Sequence, residues 1–146
     1  MTIKPHAKPK KKVKLSTLRN KCDRELQELG RIVYKKCLVC GNPMQVLHHF
    51  VTKGCSSALR YDWQNCIPLC HGCHSRHHQA NDPRIHGTIM KIKGEEWYDE
   101  LEWKRCNLKV LPSQKYYNNI MKNLQLAKEE NKNNKLKELL KPYKVK

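Results

Sequence analysis

The pattern that most limits what this chain can fold into is a repeated Cys-x-x-Cys spacing. Cys37-Leu38-Val39-Cys40 is followed by Gly41, and the same spacing returns later as Cys70-His71-Gly72-Cys73. Two thiolates on one tight turn reach a single metal ion, and Gly41 and Gly72 permit close approach of the backbone. Two such pairs supply four ligands, and a tetrahedral all-thiolate set suits zinc. A structural Zn2+ there would tie the start of the central segment to its end. It would contribute folding free energy to a chain of 146 residues with 38% hydrophobic residues and one Phe. Cys22, Cys55, Cys66 and Cys106 have no such partner and are read as spectators, Cys22 and Cys66 in apolar surroundings. The basic N-terminus is not followed by the apolar stretch of a secretory signal, so the expected compartment is the reducing cytoplasm, where thiols stay free.

Thirty Lys and Arg against thirteen Asp and Glu give a formal net charge of +17. A field of that size has a polyanion such as nucleic acid as its usual partner. The charge is placed at the two ends: residues 1–36 and 104–146 each carry twelve basic and three acidic side chains, whereas 37–103 carry six and seven. This divides the chain into a flexible basic arm (1–14), a basic helix (15–36), a zinc-framed core (37–103) and a basic helical extension (104–146). Lys10, Lys11 and Lys12 are the arm's candidates for phosphate contacts, because Lys-rich segments gain from counterion release on DNA or RNA. Mean hydropathy is -0.85, and no apolar run approaches the ~18 residues of a membrane span, so no membrane partner is expected.

Leu18, Cys22, Leu26, Leu29 and Val33 recur at spacings of three and four, one face of a helix, with Ser16 or Thr17 placed to cap it and Gly30 expected to weaken it. The centre reads as strand (45–50), loop (54–57), second strand and then a helix over 70–79. A further helix follows Gly94, with Trp97 and Leu101 one turn apart. After Pro112, Ser113 is placed to cap a helix bearing Tyr117, Ile120, Leu124 and Ala127. That narrow apolar stripe needs a partner, for which a second copy of the chain or another protein is the expectation. The stretch 131–135 is expected to interrupt this helix, and KLKELLK after it is too short to be stable alone. The fold class is α+β.

Between the Cys pairs the chain reads Val46-Leu47-His48-His49-Phe50, then Arg60-Tyr61-Asp62-Trp63-Gln64-Asn65, and it runs on from the second pair as His74-Ser75-Arg76-His77-His78. Adjacent residues of a strand face opposite sides, so His48 and His49 do not easily share one job. His74 and His78 lie one helical turn apart and can address one cation. His77 is offset by one residue and faces elsewhere, although a shifted helix start exchanges its role with that of His78. Arg60 and Arg76 suit bidentate clamping of a phosphate, and Lys53 suits a point-charge contact. Trp63 is read as core rather than as a stacking platform, and His6, His71 and His86 receive no role.

A His pair ending a strand, an Asn in the segment after it, and a CxxCH helix with further His, all framed by Cys pairs, resembles the HNH endonuclease family and its ββα-metal fold. That similarity covers roughly 37–78. The strings HHFVTKG, LRYDWQN, PLCHGCH and GEEWYDEL also resemble, more loosely, the phage NinG-type recombination endonucleases, from the first helix to about Trp103. The resemblance implies that His48 holds the catalytic cation together with His74 and His78, that His49 is the general base, and that Asn65 orients the loop beside the catalytic strand. It also implies a metal-dependent hydrolase of DNA, double-stranded or branched, acting in recombination or DNA processing in a host cell's cytoplasm. The catalytic cation would be Mg2+, Mn2+, Ni2+ or Zn2+, beside the structural Zn2+. The competing readings are a non-catalytic zinc-binding nucleic-acid-binding protein and a phage packaging partner engaged through the C-terminal helix.

Overall fold

The spacing of Leu18, Cys22, Leu26, Leu29 and Val33 folds into helix α1 (Leu15–Val33) in a computed structural model that describes residues 10–132. Neither Ser16 nor Thr17 caps it. Lys14 holds the cap position with no side-chain bond, and its carbonyl accepts from the Thr17 and Leu18 amides. Cys22, Leu26, Leu29 and Gly30 are the buried face. Gly30 does more than loosen the helix: a Cβ there would meet Leu47 side-chain atoms at 3.0 Å, so the missing side chain lets a strand lie against α1.

That strand is β1 (Val46–His49), paired antiparallel with β2 (Cys66–Leu69) in the register Val46 to Leu69 and His49 to Cys66. A two-stranded sheet leaves the outer edge of β1 with unpaired backbone groups. Gln27 of α1 fills that edge: its amide Nε2 donates to the Leu47 carbonyl at 2.8 Å, and its Oε1 accepts from the Leu47 N–H at 2.9 Å. A short 3-10 turn (Trp63–Asn65), capped by the Asp62 carboxylate accepting from Gln64 N–H, leads into β2. Helix α2 (His71–His78) follows at once, with Cys70 at its N-cap. The order strand, loop, strand, helix is the expected one.

Helix α3 (Pro83–Lys93) was not anticipated. Its signals are nevertheless local: Asp82 accepts from Arg84 N–H, Pro83 occupies the first turn, and Ile85 and Ile89 are the buried pair one turn apart. Gly94, at φ 88°, turns the chain into α4 (Glu95–Asn107), where Trp97 and Leu101 are buried as expected. Helix α4 runs on past residue 103 and ends at Asn107. Trp97, Leu101, Ile85 and Ile89 join Leu59, Ile67 and Leu69 in one buried cluster, together with three of the paired cysteines.

Ser113 Oγ accepts from Tyr116 N–H at 3.0 Å at the start of α5 (Gln114–Lys132). The stripe on α5 has its partner within the chain. Leu124, Ile120 and Ala127 pack with Leu26, Leu29, Leu47 and Cys66 in a second cluster. The Cys22 thiol donates to the Tyr117 carbonyl at 3.4 Å, and Lys128 pairs with Glu25 and Glu28. The apolar face that was expected to recruit a second copy or another protein is therefore covered by α1. Helix α5 includes Asn131 and Lys132, while residues 1–9 of the arm and the rest of the chain after 132, with KLKELLK, lie outside the described residues. Among the described residues no helix is long and apolar enough to cross a membrane.

Candidate metal centres and the histidine strand

The sulfur atoms of Cys37, Cys40, Cys70 and Cys73 all lie within 4.8 Å of one another, with Cys40 and Cys70 sulfurs 3.6 Å apart. All four are free thiols. The first pair sits on a turn closed by the Gly41 amide donating to the Cys37 carbonyl at 3.0 Å, and Gly41 takes φ 73°, a conformation that favours glycine. Gly72 has no comparable duty: it is helical, and a Cβ there would make an ordinary 3.9 Å contact with Cys70 Sγ. Burial raises the Cys37 thiol, but backbone N–H groups of Cys40, Cys70 and Val39 outweigh it and bring its pKa down to about 7. Backbone donors also reach sulfur at Cys70, which accepts from Cys73 N–H at 3.4 Å. Four convergent thiols form a donor set that fits a metal ion such as zinc.

Strand β1 sends its two histidines to opposite sides. His48, 2% exposed, faces α2, its ring centroid 5.0 Å from that of His74 and 5.3 Å from that of His78. One ring nitrogen from each of the three lies within 4.8 Å of the others. Burial first, then the neighbouring His77, His74 and His78 rings, push the His48 pKa down to about 3. Burial also lowers His74. Imidazole nitrogens are common metal ligands, and three of them this close, one from each residue, form a donor set that could hold a cation.

His77 does not face elsewhere. Its Nδ1 lies 3.0 Å from His48 Nε2, and its Nε2 lies 3.2 Å from His86 Nδ1. The long imidazole arm at His77 stays within reach of the strand although its position is one residue off the His74–His78 line. His86 comes from α3, and Phe50 stacks on both His77 and His86, with centroids 5.7 and 5.2 Å away. The sequence offers little to single out His86, because only Ile85 and Ile89 mark the buried face of the helix that carries it.

His49 Nε2 lies 2.7 Å from the carbonyl oxygen of Arg60. A carbonyl only accepts, so Nε2 carries the hydrogen and the neutral ring keeps its lone pair on Nδ1. Burial lowers the His49 pKa, and the bond to Arg60 opposes that shift. Asn65, fully buried, ties the loop between the strands at both ends. Its Oδ1 accepts from Val51 N–H at 2.7 Å, and its Nδ2 donates to the Val51 and Leu59 carbonyls at 2.9 and 3.1 Å. Asn65→Ala would remove a partner from the Val51 N–H, the Val51 carbonyl and the Leu59 carbonyl, of which the last keeps a long 3.4 Å bond from the Asp62 amide, and chemical denaturation should show a loss on the order of 2 kcal/mol. A change below about 0.5 kcal/mol, the size of an ordinary surface substitution, would remove Asn65 from this orienting role.

The cations divide into engaged and exposed. Arg60 is not a free clamp: its Nε and Nη2 donate to Asp23 Oδ1 and Oδ2 at 3.0 and 2.5 Å, because α1 places an acid opposite it. Burial would raise the Asp23 carboxyl, but hydrogen bonds from Arg60 and Tyr61 and the charge of Lys53 hold it below the usual carboxylate range. Lys53 lies 3.7 Å from Asp23 with its side chain 43% exposed. Arg76 donates from Nε and Nη2 to Asp82 Oδ2, and its side chain remains half exposed. Lys10, Lys11 and Lys12 are exposed. Trp63 stacks on Tyr34 at 5.6 Å and an interplanar angle of 9°, as a packing residue. No family model, curated protein or solved structure matches the chain.

Proposed function

We propose that this chain is a zinc-stabilised endonuclease of the HNH type, with a ββα-metal core, that hydrolyses DNA phosphodiester bonds with one divalent cation. The observation that carries the reading is the arrangement on β1, where His48 meets His74 and His78 while His49 turns to the other side with Nε2 against the Arg60 carbonyl. Hydrolysis of a phosphodiester requires a base for the attacking water and positive charge at the phosphate and the leaving oxygen. A divalent cation held by His48, His74 and His78 would supply that charge. His49 Nδ1 takes the proton from water, and the Arg60 carbonyl holds the ring in register and favours the imidazolium that results. Asn65 keeps the loop carrying Arg60 fixed to the end of β1.

Lys10, Lys11, Lys12, Lys53 and Arg76 provide phosphate contacts from positions that leave their charges wholly or partly in water. Contacts of this kind position a duplex without reading bases, so binding would fall steeply with salt. Selectivity would then rest on DNA structure, such as a branch or a nick, rather than on base sequence.

The test is cleavage of supercoiled plasmid and of branched DNA by the full chain, first in EDTA and then with Mg2+, Mn2+, Ni2+ or Zn2+. Cutting should require the added cation. The imidazole donors should favour Mn2+, Ni2+ or Zn2+ over Mg2+, which prefers oxygen ligands. DNA binding without cutting in every metal would overturn the reading in favour of a non-catalytic zinc-binding nucleic-acid-binding protein.

A further inference from the structure

The group that holds His49 in its tautomer is a backbone carbonyl on a loop, and a loop carbonyl is only as well placed as the loop. The peptide of Arg60 is fixed from outside the strand-loop-strand-helix unit. Asp23, on α1, receives both arms of the Arg60 guanidinium, at 3.0 and 2.5 Å, with both side chains about one-fifth exposed. The neighbouring Tyr61 hydroxyl is held at 2.9 Å from Asp23 Oδ1 and 3.2 Å from the Arg19 carbonyl. Two consecutive loop residues are thus pinned to one turn of α1, and α1 is itself bonded to β1 through Gln27 and Leu47. Helix, loop and strand close a ring in which His49 spans the side between β1 and Arg60.

We propose that Asp23 is a positioning residue for His49: through the Arg60 side chain it fixes the Arg60 carbonyl, and so keeps His49 Nε2 protonated and Nδ1 open. This rests on the role of His49 as base proposed above. A bidentate pair restricts both translation and rotation of the guanidinium, which a single contact does not. Displacement of a reacting group by about 1 Å can cost on the order of a hundredfold in rate, so a loosened carbonyl is felt in turnover rather than in substrate binding. An ion pair that merely docks α1 on the core would instead alter stability and leave the His49 ring as it is.

The experiment compares wild type, Asp23→Asn and Arg60→Lys as full-length, zinc-loaded proteins. Melting temperature and zinc content establish that each is folded. The readouts are kcat and KM for cation-dependent DNA cleavage, and the 15N signals of the His49 ring, which distinguish the two tautomers. The expected result is a kcat lowered by about tenfold to a hundredfold, with KM within about twofold and a mixed-tautomer pattern confined to His49. A folded Asp23→Asn with unchanged His49 signals and kcat within about twofold would overturn the proposal, as would a lowered melting temperature with no change in the ring. If Asp23→Asn does not fold, Arg60→Lys, which keeps the charge and loses the fork, decides in its place. If wild type cuts nothing in any cation, the endonuclease reading falls. The ring signals of wild type and variants then still decide whether Asp23 positions His49.

Discussion

Replacing Cys73 by Ser, or stripping the metal with a strong chelator, is expected to abolish the cooperative unfolding of the central segment. Cys37, Cys70 and Cys73 are buried in the same cluster as Leu59, Ile67, Leu69 and Ile89, so the site lies inside the core it would hold together. The turn at Cys37–Cys40 also meets β2 directly: the Leu38 amide donates to the Pro68 carbonyl at 2.9 Å, and Leu38 and Val39 pack against the cluster that holds Ile67 and Leu69. Structural zinc contributes about 10–16 kcal/mol in zinc-finger peptides, which is as much as the ~5–15 kcal/mol net stability of a typical domain. Loss of the site would also carry off the histidine centre, because Cys70 caps the helix that bears His74 and His78. Helical signal from α1 and α5 should persist, since those helices pack through Leu26, Leu29 and Leu124 without any cysteine of the site. Circular dichroism melts with zinc analysis check this. A metal-free Cys73→Ser protein melting within a few degrees of wild type would show the four thiols to be spectators.

His49→Ala is expected to lower the single-turnover rate of DNA cleavage by about a hundredfold to ten-thousandfold, the usual contribution of a positioned general base. Folding should survive. Among the described residues His49 makes one side-chain hydrogen bond, to the Arg60 carbonyl, and the loss of one such bond costs about 1 kcal/mol. DNA binding should survive as well, because the exposed cations lie on other side chains. A variant that folds and binds but does not cut separates the base from every structural role; one that cuts as wild type does assigns the proton transfer to another group.

Much of this was legible in the sequence because it was local. Cys-x-x-Cys spacing, the three-and-four periodicity of α1 and α5, and the alternation across His48 and His49 each depend on a few neighbouring residues. Helix α3 escaped because only Ile85 and Ile89 mark its buried face, although Asp82 and Pro83 announce its start; with it went His86. Other features are set by residues far apart in the chain. The sequence showed that the α5 stripe must be covered, but nothing in its spacing named α1 as the cover. Arg60 in the segment after the histidine pair suggested a phosphate clamp, and only the fold brings Asp23 from α1 onto its guanidinium. Gly30 is a weak point by helix propensity alone, and its reason lies far along the chain, where Leu47 packs into the space a side chain would fill.

The most direct measurement is Mn2+ binding and single-turnover DNA cleavage, taken side by side on His48→Ala and His49→Ala with the cysteine site zinc-loaded. The expected result is that His48→Ala loses the Mn2+ site and cleavage together, while His49→Ala binds Mn2+ and DNA as wild type does and fails to cut. Wild-type Mn2+ binding in His48→Ala, or wild-type cutting by His49→Ala, would contradict the division of roles on β1.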